Sequence, residues 1–361
     1  MLAQPELDTV LSQGRTIGPA QSNDTALGPF SSLVAASPTA GNPPGVWTSD
    51  GHGWNMVALP FFEPKPGVTS AFRLLVNQFN ENLTFFTVDK GVPNRGAASG
   101  KMFSADQTVA ALQYIQDIPQ VAADDFPQTP APPASPTTPK GPAPIHHEPG
   151  LLLHLLSEVT ETVVLGRGSH VLDIARMATI PHGDAVLAMG FSSRSSAGPD
   201  FDALLPGDPN FNPQLDFSPL PVGVDSSLDG NSYLAPYKHF HSNPFRGNVP
   251  ASVTGFPGFD PTQPLNLLKL ALDPANPVVD MTTLVFSTKF KTGGIHNIPF
   301  VTHQANATSM IAIFWIETLR DGTQQLQYAQ KVMLEFFNAK SHTDSGLIQW
   351  PHISINTLKL S

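Results

Sequence analysis

The residues in this chain best suited to chemistry are its twelve histidines, which occur with no cysteine at all. Imidazole titrates near neutral pH and is a common metal ligand, so such a chain can hold a metal or move protons. Without thiols it cannot build a disulfide, a thiolate metal site, an iron–sulfur cluster or a thioether-linked haem. Several histidines stand beside turn residues or at the edges of apolar runs: His147 in Ile145-His146-His147-Glu148-Pro149-Gly150, His182 in Ile180-Pro181-His182-Gly183, His239 and His241 around Phe240, His303, and His352 in Trp350-Pro351-His352. For any one of them the commoner reading is a turn or buried histidine bonded to backbone. If the segment around Phe240 is extended, His239 and His241 share a face, as a non-haem metal requires, but no carboxylate follows at a cupin-like spacing.

Other catalytic signatures are missing. The chain has no G-x-G-x-x-G, no P-loop, no H-E-x-x-H and no G-x-S-x-G. Asn94-Arg95-Gly96 and Gly166-Arg167-Gly168 read as turns.

The elements that must position these histidines are strands. From Met310 to Leu319, Met310, Ala312, Phe314 and Ile316 alternate with Ile311, Ile313, Trp315 and Glu317, which is the period of two that marks a strand. Gln325 to Phe336 repeats the pattern after the turn Asp321-Gly322, giving a hairpin. Ile353, Ile355 and Thr357 then alternate with His352, Ser354 and Asn356, so the last histidine opens a final strand. Upstream, runs over Gly51–Phe62, Phe72–Phe79, Leu83–Val88, Val109–Ile118, Gly150–Leu156, Thr162–Leu165, Val171–Ile180 and Ala185–Phe191 suit a meander, with Asn80-Glu81-Asn82 as a separator. The aromatics Trp47, Trp54, Phe61, Phe62, Phe85, Phe86, Tyr114, Phe314, Trp315 and Tyr328 are spread over nearly all these runs. In a hollow barrel, inward aromatics would line a cavity for a flat apolar ligand.

Residues 1–45 are rich in Gly, Ser, Ala and Pro and read as an N-terminal arm. Residues 46–361 form one β-barrel domain with irregular, Pro-rich insertions at 122–144 and 192–277; Leu265–Leu272 is a short helix inside the second. So long an irregular insertion is uncommon and often functional. The fold class expected is all-β, an antiparallel calycin-like barrel.

Charged residues make up 13% of the 361 positions, against about 25% in an average protein, so Ser, Thr, Asn, Gln, Pro and Gly must cover the surface. With 19 basic residues, a net charge of −10 and no basic cluster, nucleic acid is excluded as a partner. No segment has the roughly 20 apolar residues of a membrane span, and no signal-peptide pattern opens the chain, so the expectation is a cytoplasmic protein. The low charge and the two Pro-rich excursions suit a homodimer.

Four segments carry a resemblance: Val92-Pro93-Asn94-Arg95-Gly96; His147-Glu148-Pro149-Gly150; Arg176-Met177 with Ile180-Pro181-His182-Gly183; and Phe314-Trp315-Ile316-Glu317 with Leu326-Gln327-Tyr328 and Trp350-Pro351-His352. Over roughly residues 47–191 and 284–360 this set resembles bacterial haem-binding β-barrel proteins of the nitrobindin and calycin group, including trans-anethole oxygenase-type enzymes that cleave an alkene. The resemblance implies haem b as cofactor and His352 as the iron ligand, with His147 and His182 as rivals. It places Phe314 and Trp315 against the cofactor or substrate, and His182, Arg176 and Tyr328 on the opposite side as groups that stabilise bound oxygen. The implied reaction is oxidation of a small apolar aromatic alkene, such as a propenylbenzene, by dioxygen or peroxide to an epoxide or aldehyde. A haem or lipophile carrier without turnover is the alternative, and a non-haem metal enzyme using His239 and His241 a third. The chain is about twice the length of a minimal barrel of this group.

Overall fold

A computed structural model of the chain describes residues 27–34, 45–61, 72–88, 93–98, 101–128, 143–155, 162–165, 168–180, 183–202, 216–222, 227–302, 306–336 and 348–361. Within these, fourteen strands follow one another: β1 Gly45–Pro60, β2 Phe72–Thr87, β3 Pro93–Ala98, β4 Lys101–Phe126, β5 Ala143–Leu155, β6 Thr162–Leu165, β7 Gly168–Val171, β8 Ile174–Ile180, β9 Asp184–Ser195, β10 Val278–Ser287, β11 Gly294–Asn297, β12 Asn306–Leu319, β13 Gln324–Phe336 and β14 Ile348–Leu360. Ten of them pair in the order β10-β12-β13-β14-β1-β2-β4-β5-β8-β9, and β9 pairs back with β10, so the antiparallel sheet closes into a barrel. Closure removes the free edges that an open sheet of this size would expose. The molecule is the all-β, calycin-like barrel that the alternating runs predict.

The hairpin β12–β13 forms as expected, with Gly322 at φ 87° in its turn, a conformation glycine adopts without strain. Asn80-Glu81-Asn82 is not a separator. β2 runs straight through it and pairs with β1 and β4 on either side of register shifts, while the Asn80 side chain accepts a bond from Gly51 N at 2.6 Å. Asn94-Arg95-Gly96 likewise lies within a strand, β3, paired to β4.

The barrel is apolar on its inner face all round and on its outer face along β1, β2, β9, β10 and β12–β14, where the insertion covers it; on β4, β5 and β8 the outer face is open, with Asp117, His147 and Met177 exposed. The inner face carries Trp47, Leu83, Phe85, Leu112, Tyr114, Leu152, Ile174, Ala188, Leu284, Phe286, Met310, Leu326, Tyr328 and Leu358, one continuous core. One end of this lumen is stoppered by a 3-10 turn, Gly28–Leu33, whose Phe30 and Leu33 are buried among the lumen residues. Trp47 Nε1 donates to Leu33 O at 3.0 Å and fixes it there. Gly28 has φ 52°, and a Cβ there would sit 2.3 Å from the His154 ring. This turn is the described part of the N-terminal arm.

The outer face is jacketed by the second insertion, which contributes α1 Ala235–Ser242 and α2 Asn266–Leu270. Phe201, Phe217, Leu234, Tyr237, Phe240, Phe259 and Leu268 from the insertion pack on Trp54, Met56, Phe72, Val76, Ile313, Trp315, Trp350 and Ile353 of the barrel. Trp54 stacks on Phe256 and Phe259, and Phe72 lies 4.5 Å from the Trp350 ring. The insertion is therefore a second core layer built outside the barrel wall. Among the described residues, no helix is long and apolar enough to cross a membrane.

Candidate functional site

The barrel lumen is crossed by polar side chains that tie distant strands together. Arg176 on β8 is 2% exposed and Glu148 on β5 is 1% exposed; the guanidinium Nη2 donates to Glu148 Oε1 at 2.6 Å. Arg176 Nε also donates to the Tyr114 hydroxyl at 2.8 Å, and that hydroxyl in turn donates to Glu148. Nη1 reaches across the lumen to Gln330 on β13 at 2.7 Å. The same guanidinium lies over the rings of Tyr114 and Phe314, at 5.3 and 5.7 Å. Tyr114 needs room for this: its ring fills the space over Gly150, where a Cβ would come within 2.3 Å of Cζ.

Burial pushes the Glu148 carboxyl up, but the Arg176 charge and the bonds from His146 and Tyr114 outweigh it and hold it at about 2. Arg176 is pushed down by burial and up, more strongly, by Glu148 and Tyr114. The pair is an ionised, fully enclosed salt bridge. His146 Nε2 stands 3.2 Å from the second carboxylate oxygen.

A second cluster lies beside the first. Glu81, 1% exposed, is bonded by the Tyr328 hydroxyl at 2.6 Å, Asn356 Nδ2 at 2.7 Å and Gln116 Nε2 at 2.7 Å. Asn356 also donates to Ser49 Oγ at 2.9 Å. Burial raises the Glu81 carboxyl, while its three donors lower it. Both tyrosine hydroxyls are pushed well above their ordinary range, first by burial, so each is a hydrogen-bond donor at neutral pH. Between the two clusters and the Leu33 stopper the remaining cavity is about 20 Å³, bounded in part by Phe314, Arg176 and Gln116, which is room for a water and little more.

Of the residues singled out from sequence, Arg176, Tyr328 and Phe314 converge on this lumen, Phe314 lying 5.5 Å from the Tyr328 ring. His352 is partly buried and pairs with Val332, two residues from the Gln330–Ser354 pair and four from Tyr328–Asn356, without a register shift. Its cross-strand partner Val332 packs against the lumen core, which puts His352 on that side two residue pairs beyond the glutamine that Arg176 reaches, whereas Trp350 and its partner Leu334, next along, belong to the jacket. Trp315, next to Phe314, points the other way and is buried outside the barrel against Phe201. His147 is also outside: it is exposed and bonded to Asp117 at 2.5 Å. His182 and His303 lie outside the described residues. The segment around Phe240 is helical, so His239 and His241 diverge. His239 stacks on Phe126 at 3.9 Å, and His241 bonds Asp260 at 2.8 Å. Among the described residues, no three His, Asp or Glu side chains are grouped to hold a metal ion.

Sequence alone does not single out the two lumen carboxylates: Glu148 stands beside His147, and Glu81 falls inside an apparent turn. The available signal was an acid in the middle of apolar strand runs in a chain with so few charges.

No protein-family profile matches the chain, and no curated protein does. Among solved structures, the crystal structure of Rv2717c from M. tuberculosis is similar over 95% of this chain and 99% of that one, with 12% identity and a TM-score of 0.36, a value at which the likeness carries no argument.

Proposed function

We propose that this barrel is a haem-binding protein that holds haem b through His352 and oxidises a small apolar aromatic alkene. The observation that carries the reading is the position of His352: a partly buried imidazole beside Val332 of the lumen core, two residue pairs from the Gln330 end of the Arg176–Gln330 bridge. The stoppered half, with about 20 Å³ free, has no room for a ligand of the usual few-hundred-Å³ size. A haem held by His352 would therefore have to lie on the His352 side of Arg176, Gln330, Phe314 and Tyr328, away from the Leu33 stopper.

Haem bound there would supply activation of dioxygen or peroxide. The protein's own part is to hold and orient. His352 would offer its ring nitrogen. Arg176, kept charged and immobile by Glu148 and Tyr114, would present a fixed positive field to the site. Phe314 would bound the substrate space with an apolar ring.

One observation favours a second reading, a carrier without turnover. Both lumen carboxylates and the guanidinium are saturated by internal partners, so no group is poised to exchange a proton. Oxygen uptake by the haem-loaded protein with a propenylbenzene separates the two. Uptake with aldehyde or epoxide formation supports the oxygenase; a bound haem with no uptake for any alkene supports the carrier.

A further inference from the structure

A cavity of about 270 Å³ lies outside the barrel, between the outer face of β10, β12 and β13 and the strap Asp216–Val222 of the second insertion. Its wall is a cross-strand row: Ser287 on β10 pairs with Ile311 on β12, which pairs with Lys331 on β13. Two pairs along, on the same face, Ser309 pairs with Met333. The strap is pinned by Val222 N donating to Gln349 O at 3.1 Å and by Phe217, which is buried in the outer core 5.9 Å from the Lys331 ammonium. Met310, a member of the lumen core, also borders this space, and His352 does not.

The charges in it do not balance. The Lys331 ammonium is mostly buried, and its hydrogen-bond acceptor is a neutral one, the backbone carbonyl of Asp216. Lys289 lines the same cavity, and among the described residues neither lysine belongs to an ion pair. One acid lines the cavity, Asp216, and one of its oxygens already accepts from Ser218 N at 2.6 Å. Two cations against one carboxylate leave a net positive pocket in a chain of net charge −10. Burial pushes Lys331 down to about 8, Asp216 working against the shift and Lys289 adding to it. A mostly buried ammonium that bonds a neutral carbonyl and shares one carboxylate with a second lysine is incompletely compensated, and a bound anion would offset that cost.

Hydroxyl donors complete the set. Ser287 Oγ accepts from Lys289 N at 3.1 Å, which leaves its own hydrogen to donate into the cavity, and Ser309 lines the same wall. Leu220, Val222 and Met333 bound the remainder, so the space suits a small molecule with an anionic group and a short apolar part. We propose that this cavity binds the carboxylate or phosphate group of a small anionic ligand through Lys331, Lys289, Ser287 and Ser309.

The test is calorimetric titration of the full chain at neutral pH with inorganic phosphate, acetate and hexanoate, repeated for Lys331→Met and Lys289→Ala. Phosphate against acetate distinguishes the two anionic groups, and hexanoate against acetate reads the apolar part. Lys289 is exposed, so its alanine variant should keep the fold, with circular dichroism as the check. Saturable binding of at least one probe, weakened about tenfold or more in both variants, is expected for a charge-assisted contact worth about 1.4 kcal/mol or more each. Absence of saturable binding for all three probes, or unchanged affinity in either variant, would overturn the proposal.

Discussion

Glu148 and Glu317 are both enclosed in this protein, one on each face of the barrel wall, and they have opposite fates. In the lumen, Glu148 meets Arg176, Tyr114 and His146, and stays ionised. In the jacket, Glu317 has one partner, Gln325 Nε2 at 2.8 Å, and its other oxygen has none. Burial lifts the Glu317 carboxyl to about 7, with the Gln325 bond a smaller opposing effect. The contrast extends past this pair. Among the described residues, the buried Tyr237 hydroxyl, Gln327 Oε1 and Trp350 Nε1 also lack partners, and all three belong to the jacket side. The lumen is a cross-linked polar core that ties β1, β2, β4, β5, β8, β13 and β14 together, while the jacket is held by apolar contact and tolerates polar misfits.

Breaking the lumen network should therefore cost most. Arg176→Met leaves Glu148 enclosed without its counter-charge, and a loss of about 3–5 kcal/mol in urea-unfolding stability is expected. Arg176→Met combined with Glu148→Gln should recover a large part of that loss, because the uncompensated charge is then gone. A double variant as unstable as the single one would mean that packing, not charge, sets the cost.

The second effect is a pH dependence of opposite sign on the two faces. Glu317 has a folded value raised from 4.5 to about 7, so the folded state binds the proton more tightly. Its stabilising contribution is fully present below about pH 4.5 and is lost as pH rises through 7, a swing of about 3 kcal/mol. Glu317→Gln should remove that swing, so unfolding curves of the two proteins should diverge between pH 5 and 8, the variant gaining as pH rises. Glu148, held at about 2, works the other way: its contribution is present above about 4.5 and disappears as pH falls through 2. Parallel pH profiles for wild type and Glu317→Gln would remove the distinction drawn between the faces.

A matched pair of hydroxyl deletions gives the smallest and cleanest contrast. Tyr114→Phe strips a bond from both Arg176 and Glu148 and should cost about 1–3 kcal/mol. Tyr237→Phe removes a buried hydroxyl that has no partner, and a change within about 0.5 kcal/mol, or a gain, is expected from thermal unfolding. Equal losses for the two would show that the lumen network is not privileged.

The barrel was legible in the sequence because its signal is local. Alternation over Met310–Leu319 and Gln325–Phe336 marks strands whatever the rest of the chain does. The two-sided burial was not legible. Phe314 and Trp315 are both large aromatics in one strand, and only the jacket built by the second insertion, with Phe201 against Trp315, explains why the outward one is also buried. The insertion reads as irregular because its Pro, Asn and Gly residues break periodicity, yet Phe217, Phe240 and Phe259 within it make the outer core. The candidate site was half legible. Arg176, Tyr328 and His352 sit on the lumen side, but the partners that fix Arg176 and Tyr328, Glu148 and Glu81, come from strands about 28 and 247 residues away in sequence. No local pattern encodes such pairings. The helical turn around Phe240 is the clearest miss, since two histidines two apart share a face only in a strand.

The most direct test of the functional reading is a haemin titration followed by absorption in the Soret region, run in parallel on wild type, His352→Ala and Lys331→Met. Lys331 lies outside the barrel wall, so its variant controls for surface adsorption of the pigment. The account predicts a saturable, one-to-one Soret band for wild type and Lys331→Met that is lost or shifted in His352→Ala. A band that is absent from wild type, or that is identical in His352→Ala, would contradict it.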